Sequence, residues 1–461
     1  MTILQAATQD DDDEGGEDGS RVRVVQATRT VLPTRWQTKV FAVSCVKKII
    51  QAGTHSTLRD AQGRNPHLDQ AAARAMKHDG LVLKLGEIVR TSFIAATAQV
   101  DQLRQAGLET LEAVIETFST VEDADVEGHR PVLEQYQAQV MSALRPAFAD
   151  DVSPVVRFTA CQVTAAWASA GVSADVDRLI GLLAKVLGTF DAPPDASYNE
   201  RATTMLRLGV LKAFAGLYRH SQSLAEADNS LTAALKPHLP ALKQSWEDAL
   251  RDYAFVSLPP EYGKQVPDEG RFYFKGSRTT VRGYYEQALP EVACACAATA
   301  ELMTDASPTG TFYLVMGLVV RSLCVDASHS STPVLLRALH HVVRRSNGLV
   351  NEPELLVEVL QVLLHTVRVH GMARAQAEGQ RAEVLPAVVD VVHALVASDD
   401  PSMRVTDSNE DVANSCLGQV MEILLLVLGE GNNSSCRGST LATALNALAA
   451  LPSCSTNDTA R

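Results

Sequence analysis

The chain has 461 residues, 46% of them hydrophobic but only 5% aromatic, a length too great for one compact core. It must divide either into two or three domains or into a stack of repeats in which each unit touches only its neighbours. Its net charge of −13 includes seven acids packed into residues 10–18, and it has no clustered Lys and Arg to displace phosphate counterions, which excludes a nucleic-acid binder.

The apolar residues are mainly Ala, Leu and Val, which favour helices and close helix packing, while the alternation typical of strands is rare. Residues 1–25 are acidic and Gly-containing and read as a disordered tail. Residues 26–430 read as a solenoid. Its helical-period segments begin at Thr38–Ala52, Gly80–Thr97, Asp101–Phe118, Leu133–Phe148, Val155–Ala170, Val176–Leu187 and Thr203–His220. They continue through Leu235–Val256, Val281–Met303, Thr311–Cys324, Thr332–Arg345, Glu352–His370, Arg381–Val396 and Glu410–Gly429. Breaks at Pro193-Pro194, Ser307-Pro308, Asn347-Gly348 and Asp400-Pro401 punctuate them. Residues 431–461 read as a partly ordered C-terminal segment.

One junction carries a pattern. Asp150-Asp151-Val152-Ser153-Pro154-Val155-Val156-Arg157 ends one helix and starts the next, with Pro154 opening it and apolar residues following at three and four. Asp151, Pro154 and Arg157 are the expected junction residues, with the Arg and Asp bonding one repeat to the next. Weaker echoes lie at Pro33–Lys39, Asp101–Leu108 and Asp399–Arg404. The spacing fits a HEAT-like, armadillo-type α-solenoid of antiparallel helix pairs, all-α, with a period of roughly 40–47 residues and so about nine or ten pairs.

Residues 257–277 break the rhythm with three prolines and three glycines, yet hold Tyr262, Phe272, Tyr273 and Phe274 in a chain poor in aromatics. Such a loop either tucks against its own repeats or offers an edge to a partner. The four aromatics are therefore the candidate protein-binding residues, and Phe272, Tyr273 and Phe274 are expected to matter most.

The search for chemistry finds no catalytic, cofactor or metal constellation. Cys294 and Cys296, two apart on a helix, diverge by about 200° and cannot share a metal. His340-His341 and Arg344-Arg345 sit at a helix end, where basic groups complement the dipole. His365 and His370 lack the spacing of a helical zinc pair, and phosphate loops, dinucleotide fingerprints and nucleophile elbows are absent. The sequons at Asn432, Asn433 and Asn457 read as chance matches. Cys45, Cys161, Cys324 and Cys416 lie in apolar helical surroundings and read as buried thiols of a reducing compartment. With no signal peptide and no apolar run of about 20 residues, the chain reads as soluble and cytosolic.

Longer stretches carry a resemblance. Thr34-Arg35-Trp36-Gln37-Thr38-Lys39-Val40-Phe41-Ala42 is similar to the HEAT repeat-containing protein five family. So are Asp101-Gln102-Leu103-Arg104, Leu133-Glu134-Gln135-Tyr136-Gln137-Ala138-Gln139-Val140 and Ala143-Leu144-Arg145-Pro146-Ala147-Phe148. Ala160-Cys161-Gln162-Val163, Tyr198-Asn199-Glu200 and Ala249-Leu250-Arg251-Asp252-Tyr253-Ala254 with Ser257-Leu258-Pro259 continue it in order. The resemblance implies a long, non-enzymatic scaffold without cofactors that associates with the AP-1 clathrin adaptor and its accessory proteins. It further implies a place on the cytosolic face of the trans-Golgi network, endosomes and vesicles, a role in retrograde transport, and membrane association through partners only. This chain would then be an internal part of a longer member. Another solenoid role, as a nuclear transport receptor or a phosphatase scaffold, is the alternative.

Overall fold

The computed structural model describes residues 35–125, 130–172, 175–190, 199–224, 230–299, 311–325, 331–345, 353–372, 378–397, 410–431 and 438–450. The acidic tail 1–25, the breaks at 193–194, 307–308 and 347–348, and the echo at 399–404 lie outside them. The described residues are helices and short connections, with two isolated bridges, Glu122 to Pro131 and Glu269 to Phe274, in place of any sheet.

The chain divides into two units, residues 1–238 and 239–461. In the first, the helices are α1 (Trp36–Thr54), α2 (Gln70–Ala75), α3 (Leu85–Ala96), α4 (Asp101–Phe118) and α5 (Gln137–Ala147). They continue as α6 (Pro154–Ser169), α7 (Val176–Leu187), α8 (Glu200–Ser223) and α9 (Ser230–Leu235). The second unit holds α10 (Leu239–Val256), α11 (Arg278–Ala298), α12 (Thr311–Val325) and α13 (Thr332–Arg345). It ends with α14 (Pro353–Met372), α15 (Glu378–Ala397), α16 (Glu410–Gly431) and α17 (Gly438–Ala450).

Each unit is built of two layers. In the first, α1, α4, α6 and α8 pack in succession as one layer, and α3, α5, α7 and α9 back them as the other. In the second, α11, α13, α15 and α17 form one layer and α10, α12, α14 and α16 the other. Apart from α1, which reaches α4 past the short α2, helices pack mainly on their immediate and second neighbours in the chain, the packing of a HEAT-repeat solenoid. Seven antiparallel pairs appear among the described residues, fewer than the nine or ten expected. Connections such as 119–133 and 257–277 lengthen repeats beyond a 40–47-residue period.

Local sequence explains individual elements. Helix α7 carries Leu179, Ile180, Leu183 and Val186 on one buried face, the three- and four-residue spacing of an amphipathic helix. Asn199 caps α8 by accepting from the Ala202 amide at 2.8 Å, and Asp69 caps α2 by accepting from Ala72 at 2.7 Å. Gly107 sets the crossing of α3 and α4, because a Cβ there would stand 2.3 Å from the Ala96 nitrogen. Trp167 and Phe214, both fully buried, fill the core of the first unit, and Trp246 that of the second.

Arginines brace the turns, some within a repeat and some between neighbouring repeats. Carbonyls in the last turn of a helix and just past it lack intrahelical partners, and in this fold arginines donate to several of them. The Arg104 Nη2 reaches the Pro146 carbonyl at 3.1 Å, Arg207 Nη2 reaches that of Phe190 at 3.0 Å, and Arg321 Nη2 reaches that of Ser257 at 2.7 Å. Arg157 does the same at Asp150.

That geometry corrects the expected junction. Arg157 bonds inside its own junction instead of crossing to the next repeat. The crossing is made by Asp150, which pairs with Lys185 of α7 at 2.9 Å. Asp151 points to solvent, and the N-cap of α6 is Ser153, whose buried hydroxyl makes no cap hydrogen bond. Pro154 does open the helix, where its missing N–H costs nothing. Of the thiols expected inside, Cys161 and Cys416 are buried, Cys45 is half-buried and Cys324 is exposed.

Candidate protein-binding surface

Residues 257–277 are organised around one carboxylate. Asp252 sits on the core-facing side of α10, in register with Trp246, Ala249 and Val256, and is buried with them. It accepts from the backbone amides of Arg271 at 3.0 Å and Phe272 at 2.7 Å, and from the Tyr285 hydroxyl of α11 at 2.9 Å. Burial pushes the Asp252 carboxyl above its ordinary range, against the three donors that pull it down.

The rest of the loop closes on this clamp. The Gly270 amide donates to the Tyr273 carbonyl at 2.8 Å, beside the bridge between Glu269 and Phe274. A Cβ on Gly270 would stand 2.3 Å from the Asp252 carboxylate and 2.2 Å from the Tyr273 ring, so only glycine fits. The Tyr273 hydroxyl donates to the Pro267 carbonyl at 3.4 Å, and Lys275 pairs with Asp268 at 2.8 Å. The Ser277 hydroxyl and amide close the end of the loop on the Phe274 carbonyl at 3.1 and 3.0 Å. At the other end, Arg321 of α12 holds Ser257 through its hydroxyl at 2.9 Å and its carbonyl at 2.7 Å. Tyr253 stacks on Tyr285 with ring centroids 6.4 Å apart.

The clamp separates the four aromatics. Phe272 and Tyr273 are buried at 3% and 0% exposure, so they pack the loop and are not available to a partner. That overturns the expectation that they lead in binding: Asp252 draws the backbone at 271–272 inward and the rings follow. Tyr262 and Phe274 remain at the surface, 50% and 47% exposed. Phe255, at the end of α10, is a further exposed aromatic that the sequence reading did not single out. Asp252 itself was legible as an acid at a core-facing position of an amphipathic helix, which must find donors.

A second concave feature lies between α12 and α14, an open cavity of about 330 Å³ lined by Val320, Cys324, Glu358, Gln361, Val362 and His365. It has room for a side chain or two of a partner. Among the described residues no three His, Cys, Asp or Glu side chains form a metal-binding group, and no helix is long and apolar enough to cross a membrane. Cys294 and Cys296 are both buried, and burial pushes the Cys296 thiol up, away from the thiolate that chemistry would need.

Residues 80–255 match a family model described as the Laa1/Sip1/HEATR5 HEAT repeat region. The chain is 27% identical to Protein SWEETIE of Arabidopsis thaliana over 268 residues, covering 54% of this chain and 12% of that protein. It is 28% identical to AP-1 accessory protein LAA1 of Saccharomyces cerevisiae over 193 residues, covering 39% of this chain and 9% of that protein. The matches thus span about a tenth of the length of these relatives.

Proposed function

We propose that the chain is a member of the Laa1/Sip1/HEATR5 family, on the match of residues 80–255 to that family's HEAT repeat region, and that it is a non-enzymatic, protein-binding scaffold of vesicle traffic linked to the AP-1 clathrin adaptor. The observation that carries this reading is the likeness to a yeast protein named for its accessory role with AP-1. A stack of amphipathic helices offers a long surface suited to protein partners. Its place would be the cytosolic face of the trans-Golgi network and endosomes, in retrograde transport and protein localisation, held at membranes through partners.

Within the chain the exposed pair Tyr262 and Phe274 is the proposed contact, since a loop held by buried hydrogen bonds and presenting aromatics loses little entropy on binding. The test is affinity capture from cytosol with the full chain as bait, read by mass spectrometry. Recovery of AP-1 subunits or their accessory proteins, reduced by Tyr262→Ala with Phe274→Ala, is the expected result. A small GTPase with nuclear cargo in their place would instead mark a transport receptor.

A further inference from the structure

Between α1 and α3 the chain packs back on the end of α1 and brings two histidines together. Asn65 holds the first part: its side-chain amide donates to the Gly53 carbonyl at 2.9 Å, and its Oδ1 accepts from the His67 amide at 3.0 Å. The Val82 amide donates to the His67 carbonyl at 3.0 Å. Helix α2 ends in a Schellman turn, in which the Lys77 amide donates to the Arg74 carbonyl at 3.1 Å and the His78 amide to that of Ala73 at 2.9 Å. Lys77 takes the left-handed position commonly given to glycine, with φ 50. Gly80 lets the chain pass Pro66, where a Cβ would stand 2.1 Å from the carbonyl oxygen.

The rings of His67 and His78 meet edge to face, with centroids 4.9 Å apart and planes at 88°. In each, Nδ1 is sealed from solvent and makes no hydrogen bond. A neutral imidazole tolerates this, because it carries its proton on Nε2 and leaves Nδ1 a bare acceptor. A protonated ring puts an N–H on Nδ1 with no acceptor, and sets a charge against its neighbour. Accordingly burial, and then the neighbouring His78, holds the His67 imidazole below its ordinary value of 6.5. The surrounding charges do not offset this. Arg64 is engaged by Asp60 at 2.8 Å and Asp69 at 3.5 Å, Arg74 of α2 by Asp125 at 2.6 Å, and Asp79 by Lys84 at 3.5 Å. His55 beyond α1, Lys77, and Glu87 of α3 are exposed to solvent.

We propose that His67 and His78 form an acid-sensitive latch: two neutral rings hold residues 55–84 on the end of α1, and a proton on either ring releases them. The unfolded segment takes up a proton as pH falls through 6.5, whereas the packed pair resists it. The latch therefore contributes its full stability above that pH and loses it below. Release bares α1 at Gly53, where an added Cβ would now stand 2.3 Å from Leu81 and 3.6 Å from His67. It also loosens the pair between Arg74 and Asp125 that ties α2 to the 119–133 connection.

The test is amide hydrogen exchange in the full chain, corrected for intrinsic rates, followed in residues 60–82 with α8 as the internal check. Between pH 7.5 and 5.5 protection of residues 60–82 is expected to fall by about tenfold or more, and that of α8 not to fall. His67→Phe with His78→Phe keeps an edge-to-face pair without a titrating nitrogen, and should remove the pH dependence. A dependence that survives in this variant, or an equal loss of protection in α8 of the parent, would overturn the latch. A second measurement needs no variant to stay folded: in the parent chain, NMR titration of ring carbons should show His67 and His78 taking up protons below pH 6.5. Either ring titrating at or above that value would count against the proposal.

Discussion

Two carboxylates show what burial does to single residues. Asp252 loses water on entering the core and regains three donors, so removing it leaves the Arg271 and Phe272 amides and the Tyr285 hydroxyl without their acceptor. Asp252→Ala should cost about 2–4 kcal/mol and open residues 258–276 to proteolysis, measurable as a lower melting temperature and a new cleavage site in the loop. Glu112 is half-buried on α4. Burial and the neighbouring Glu116 and Glu109 raise its carboxyl from 4.5 to about 7, with Lys47 and Lys212 pulling the other way. The folded chain therefore holds a proton that the unfolded chain releases near 4.5, and stability falls as pH rises from about 4.5 to about 7. Glu112→Gln should flatten that slope in denaturant titrations at pH 5 to 8 and leave the variant more stable than the parent at pH 8.

At the scale of elements, the junctions and the loop make separate predictions. Arg157→Ala frees the Asp150 carbonyl in the turn between α5 and α6 and should cost about 1–2 kcal/mol. Asp150→Ala removes only an exposed ion pair with Lys185 and should cost under about 1 kcal/mol. The two are distinguished by thermal denaturation of the first unit. In the loop, Phe272→Ala and Tyr273→Ala remove buried rings and should destabilise by about 3–5 kcal/mol each. Tyr262→Ala and Phe274→Ala should leave the melting temperature within about 2 °C of the parent. Gly107→Ala drives a methyl into the α3 backbone and should cost about 1–3 kcal/mol, seen as a shift of the denaturation midpoint.

Across the whole molecule, the helices were the legible part of the sequence. The expected segments at Asp101–Phe118, Val176–Leu187 and Thr332–Arg345 coincide with α4, α7 and α13, because each combines a strong apolar period with a clear break on either side. Helix α2 escaped, since six residues rich in Ala carry no period, and α17 fell within residues 431–461, read only as a partly ordered segment, although the Gly- and Asn-rich run at 429–438 marks its start. Layer membership was not readable either, because a helix's partners two places along the chain leave no mark in its own pattern. The candidate surface was half legible: aromatics and prolines flagged the loop, but which rings face inward depends on Asp252, nineteen and twenty residues from the amides it holds. The two units can be treated separately, residues 1–238 and 239–461, because neither layer scheme needs the other to be described.

The packing of first and second neighbours has a mechanical side. Since, among the described residues, the main contacts of a helix pair are with the adjacent pairs, a pull on the ends of either unit meets resistance from one pair at a time. Each pair that gives way releases about 40–50 residues, or roughly 130–180 Å of slack, before the next is loaded. A stack of this kind extends in steps under tension and recovers pair by pair when the load is removed, where a globular domain with one core would yield all at once.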